Sequence, residues 1–164
     1  MTPDATELRV VGEIEELVRL TELTDVQFVR VSGERRETRD EQFADHHPEI
    51  RVFHRANPAG LEVRCVVVVD TEEGRLLSDV AVQFTHGEPL EVDDSVLEEF
   101  TQRVGVMAAY PYLRECIHLT AARLRIAPPI LRLLKAEEAQ LEIDEHGPAT
   151  PGGIPTSGRP TQDA

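Results

Sequence analysis

Apolar and polar positions change period twice along the chain, and the changes mark its elements. From Ala5 to Leu23, Val10, Ile14, Leu17 and Val18 recur at helical spacing among Glu and Arg, predicting a short amphipathic helix weakened at Gly12. Thr24 to Gly33 then shows partial alternation with β-branched and aromatic residues, so it reads as a first strand closed by the charged run Glu34 to Glu41. A second strand is read at Glu49 to Ala56, ending in the turn Asn57-Pro58-Ala59-Gly60. The third has the clearest period of two. Leu61, Val63, Cys65, Val67 and Val69 fall on one face, and Glu62, Arg64, Val66, Val68 and Asp70 on the other. After Thr71-Glu72-Glu73-Gly74, Leu76 to Thr85 forms a fourth strand with Val80, Val82 and Phe84 on one face. Such short connections imply antiparallel neighbours.

Beyond His86 the period becomes helical. Asp94 or Ser95 caps a helix with the stripe Val96, Leu97, Phe100 and Val104, and Gly105 ends or bends it. Tyr110-Pro111 opens a second helix, with Pro111 in the first turn, running to about Arg125. Pro128-Pro129 stops it, and Ile130 to Ile143 reads as a third. From Asp144 onward Gly and Pro dominate with almost no apolar residues, so residues 144–164 are expected to be a disordered tail on a single domain spanning 1–143. The expected fold class is α+β: a four-stranded antiparallel sheet with helices packed on one face.

Composition narrows the function. The 164 residues hold 31 Asp+Glu against 17 Lys+Arg, a net charge of -14, which argues against a partner bound through phosphates or an anionic membrane surface. No apolar stretch approaches the roughly 20 residues of a membrane helix. Cys65 and Cys116 each lie within an apolar segment with no apolar leader before them, a pattern expected of reduced thiols in a cytoplasmic protein.

Nucleophile, phosphate-loop, dinucleotide and zinc signatures are all missing, so no catalytic residue, cofactor or metal is assigned. His46-His47 is the most metal-like feature, but adjacent histidines without further ligands read as surface residues. Cys116 and His118 stand two apart on a helix and point to different sides, which leaves Cys116 a small buried hydrophobe. Leu113, Ile117, Thr120 or Ala121 and Leu124 form the stripe expected to meet the sheet. A second stripe, Tyr112, Cys116 and Leu119, lies about 100° away. Val52 and Phe53 are adjacent on a strand and face opposite sides. Apolar residues beyond one core face indicate assembly, a peptide groove or cover by flanking helices.

The run Ala109-Tyr110-Pro111-Tyr112-Leu113-Arg114-Glu115-Cys116-Ile117, followed by Arg123 and then Ile126-Ala127-Pro128-Pro129-Ile130, resembles the long-helix signature of SecB-type export chaperones. The segment Arg9 to Glu13 and the Tyr-Pro-Tyr spelling resemble more closely the SecB-like proteins found beside toxin–antitoxin systems. The resemblance implies a homotetramer, a dimer of dimers, that holds unfolded polypeptides in apolar grooves without ATP. It also implies delivery to the SecA motor or protection of an antitoxin. Tyr110, Pro111, Tyr112, Arg114, Glu115 and Pro128 carry the motif and are expected to build the fold, with Pro111 starting the helix. Val26, Phe28, Val52, Phe53, Tyr112 and Leu119 are the expected groove residues.

Two other readings compete. One is a small enzyme or ligand-binding protein with Glu115, His118 or His54 in a deep closed pocket. The other is a structural homo-oligomer whose second stripes are only interface. A holdase must stay soluble while showing apolar surface, and net charge serves that need. Residues from Asp144 onward carry only -2 of the -14, so the charge belongs to the domain.

Overall fold

Strict alternation in the third predicted strand places it at the centre of the structure. The computed structural model describes residues 8–44, 48–132 and the backbone of 143–144. Strand β1 (Arg9–Val11) leads to helix α1 (Ile14–Leu20), followed by β2 (Thr21–Arg35), β3 (Glu49–Asn57), β4 (Gly60–Thr71), β5 (Gly74–His86) and β6 (Leu90–Val92). Helix α2 (Asp94–Phe100) runs through a π-helical turn at Thr101–Gly105 into α3 (Val106–Leu124), and β7 (Ile143–Asp144) comes last.

The main sheet has the order β2-β5-β4-β3-β7. Its first four strands are antiparallel, as expected, and the two-residue β7 adds in parallel at the β3 edge. Cys65 pairs with Val80, Val63 with Val82, and Val52 with Cys65, so these side chains share one face. Leu61, Val63, Cys65, Val67, Val69, Val80 and Val82 are fully buried there. The α3 residues Leu113, Ile117 and Ala121 are equally buried against that face. Phe84 and Phe100 meet edge to face with ring centroids 5.1 Å apart, closing the α2 end. On the opposite face, Arg64 grips Asp79 with both nitrogens, Nε to Oδ1 at 2.7 Å and Nη2 to Oδ2 at 2.6 Å.

Four expectations are corrected. The N-terminal helix is confined to Ile14–Leu20, because Val10 belongs to β1, which pairs in parallel with the unanticipated β6. Strand β2 begins directly after it at Thr21. Of the two roles expected of Gly105, ending the helix is not what it does: it is the last residue of the π turn, and the helical run continues. Pro111 therefore lies inside α3 rather than starting it, exposed on the side away from the sheet. Ile130 to Arg132 are not helical and Ile143 is in a strand, while the rest of the predicted third helix and residues 145–164 lie outside the described residues.

At the end of β5, His86 is buried beside the start of β2. Thr21 Oγ1 donates to the Leu17 carbonyl at 2.6 Å, so its oxygen accepts from His86 Nδ1 at 3.3 Å. Nε2 is then a buried acceptor with no partner among the described residues. Burial pushes the imidazole pKa below its ordinary 6.5. The fold thus favours neutral His86, and this contribution is complete above pH 6.5 and fades as pH falls below it. Between pH 7.5 and 5.0 the melting temperature should drop more for the native chain than for His86→Gln. Equal drops would assign the acid sensitivity to other groups.

Candidate functional site

Strand β2 forms one edge of the main sheet, and its register with β5 slips twice, between Leu23 and Asp25 and between Phe28 and Arg30. Each slip is a β-bulge with one extra residue, Thr24 and Val29. The bulges reset which face each side chain takes. Val26 and Phe28 stand opposite Val82 and Val80, on the α3 side; after the second bulge Val31 and Gly33 return to that side, opposite Ser78 and Leu76. Alternation carried past the first bulge from Leu23 would have put Asp25 there, and carried past the second from Phe28 it would have put Arg30 there. Asp25 and Arg30 pair with Gln83 and Asp79, on the outer face.

Helix α3 runs alongside this edge. Phe28 and Tyr112 meet edge to face with centroids 6.3 Å apart. Further along, a Cβ on Gly33 would lie 2.6 Å from Thr120 Cγ2 and 2.7 Å from Leu124 Cδ1, so only glycine lets the helix settle this closely on β2. Arg35 Nη1 donates to the carbonyls of Leu124 at 3.2 Å and Arg125 at 3.4 Å, holding the helix end. The exposed apolar residues of this flank are Leu23, Phe28, Val31 and Leu119, each 45–49% exposed. Half-buried Val26 and Tyr112 lie on the same apolar flank.

The structure thus brings together four of the six expected groove residues: Val26, Phe28, Tyr112 and Leu119. Val52 is corrected. It is fully buried in the core beside Cys65, so it supports the sheet and offers no surface. Phe53 is half-buried on the outer face opposite Arg64, with two strands between β3 and β2, about 14 Å away. Leu23 was missed because it was read as the end of the N-terminal helix, and Val31 and Gly33 because the bulge at Val29 puts them on the same side as Phe28.

Among the motif residues, Tyr110 is buried and its hydroxyl donates to the Arg132 carbonyl, tying α3 to the chain that follows it. Arg114, Glu115 and Pro128 are exposed and border a second, shallow cleft of about 520 Å³ on the opposite flank of α3, with Pro111, His118 and Leu131. Cys65 is fully buried and its thiol pKa is pushed up to about 12 by burial, which makes it inert. His54 is buried under the π turn, its Nδ1 2.8 Å from Thr101 Oγ1. It does not converge with exposed Glu115 and His118 on the outside of α3. His46 and His47 lie outside the described residues. No helix among the described residues is long and apolar enough to cross a membrane.

A four-stranded antiparallel sheet with one long helix on its face is a fold shared with a solved structure. The Rv1957 SecB-like chaperone of Mycobacterium tuberculosis, in complex with a ChAD peptide from the Rv1956 HigA1 antitoxin, aligns over 74% of this chain and 95% of its own, with a TM-score of 0.62 and 18% identity. No family model matches the chain. A curated relative does: the SecB-like chaperone SmegB of Mycolicibacterium smegmatis is 34% identical over 130 residues, covering 79% of this chain and 86% of its own. The chain belongs to the SecB-like chaperones.

Proposed function

We propose that this chaperone holds an extended stretch of non-native polypeptide in the β2–α3 groove without ATP, and that its client is the antitoxin of a toxin–antitoxin pair. One observation carries the reading: Phe28, Val31, Tyr112 and Leu119 form a continuous apolar stripe left open along a sheet edge. A polypeptide client needs such surface, and monomers seldom leave it without use. The antitoxin peptide bound to the structural neighbour supports the choice of client. Delivery to the SecA motor has less support, because the outer sheet face carries Arg64 beside Glu62, and the arginine neutralises Asp79. A cytoplasmic homotetramer remains part of the proposal, with solution mass as its measurement.

Changing Tyr112→Ser together with Leu119→Ser should leave the solution mass intact and weaken binding of a disordered apolar peptide about tenfold, roughly 1.4 kcal/mol. Suppression of aggregation of an unfolded client should fall in step. Loss of assembly with unchanged peptide affinity would instead make the stripe an interface between copies.

A further inference from the structure

One end of the groove runs into positive charge. At 100° per residue Tyr112, Leu119 and Arg123 lie within about 40° of one another on α3, so the apolar stripe runs straight into Arg123. On β2 the corresponding line runs from Phe28 through Val31 and Gly33 to Arg35. Between them the helix closes on a left-handed Arg125, φ 55°, whose N–H and that of Ile126 bond back to the last turn. Arg35 is spent on the helix-end carbonyls. The side chains of Arg123 and Arg125 are exposed and make no hydrogen bond or ion pair among the described residues.

The acidic groups facing this end are few. Glu34 is exposed on β2, Glu115 lies farther back on α3, and Glu73 is already held by Arg39 at 2.7 Å and the Ala127 N–H at 2.8 Å. At the other end Leu23, opposite Phe84, is on the α3 side, while its neighbours Glu22 and Asp25, opposite Thr85 and Gln83, belong to the outer face. In a chain of net charge -14 the Arg123 end is the place in the groove where a client carboxylate meets attraction.

We propose that Arg123 and Arg125 receive the carboxylates of client segments in which an apolar stretch is flanked on one side by Asp or Glu, and that this contact fixes the direction in which the client lies. The inference rests on the groove reading above and adds a polarity to it. Clients with basic flanks at that end are disfavoured.

The test uses labelled peptides with one uncharged apolar core and two Glu or two Arg at either end, titrated into the full chain. Each exposed pair contributes modestly, so the better-placed Glu flank should tighten binding about two- to fivefold, and added salt should erase the gain. Arg123→Glu with Arg125→Gly, the latter well suited to the left-handed position, should invert the preference while leaving the core peptide's affinity unchanged. Indifference to flanks with normal core binding overturns the polarity and leaves the groove standing. Failure of the core peptide to bind overturns both. Core binding that appears only on dilution, as self-associated copies separate, shows the stripe occupied by a second copy and also overturns the inference.

Discussion

Replacing Arg64 with Met is expected to lower stability by about 3–5 kcal/mol, measured by urea denaturation. The guanidinium and the Asp79 carboxylate are each under 10% exposed and joined by two parallel hydrogen bonds. Removing the arginine leaves a charge in the sheet's interior layer with neither its ion nor water to replace it. Met fills a similar volume, so little of the loss comes from packing. The pair itself contributes far less than its rupture costs, since burying two charges uses up most of their attraction. Arg64→Met combined with Asp79→Leu should therefore recover most of the deficit. A loss below about 1 kcal/mol in the single variant would mean that the pair behaves like a surface ion pair.

Gly105→Ala should cost about 3 kcal/mol, the upper end of what one inserted methyl does to a packed core. Its Cβ would lie 2.4 Å from Val63 Cγ2, 2.9 Å from Cβ and 3.0 Å from Cγ1. Val63 is fully buried on the central strand and branched at Cβ, so it has no flexible end to swing aside. Relief has to come from lifting the π turn, and α3 with it, off the sheet. Thermal melts should show the loss, and Val63→Ala on the same background should restore part of it. The edge-to-face contact between Phe28 and Tyr112 depends on the same seating, so peptide affinity should fall with stability. Unchanged affinity would show that the groove tolerates a displaced helix.

Elements with one unbroken period were legible in the sequence. Strands β4 and β5 alternate without interruption because both are interior strands of a regular ladder, and every predicted core residue on them is buried. The α3 stripe of Leu113, Ile117 and Ala121 was legible for the same reason. Strand β2 was not. Its faces change at Thr24 and Val29, and a bulge leaves no residue signature of its own, so the sequence showed only partial alternation there and Val31 was not picked out with Val26 and Phe28. The three-residue β1 and β6 pair in parallel although Arg9 and Leu90 stand 81 positions apart, a spacing no local pattern announces. Pro111 looked like a helix start because proline favours the first turn. The π turn joins α2 to α3 and carries the helix through it. Val52 was taken for groove because an apolar pair on adjacent positions tells that two faces are apolar, not which is sealed.

The two bulges also bear on how such a molecule survives at high concentration. A 15-residue edge strand flanked by exposed apolar side chains is a template on which like edges could stack without limit into cross-β fibres. Fibre growth needs a flat, evenly spaced row of backbone donors and acceptors, and Thr24 and Val29 interrupt that row and increase its twist. The same irregularities that turn Val26 and Val31 toward the groove keep the edge from propagating. This SecB-like chaperone thereby carries a safeguard against its own aggregation in the spacing of one strand.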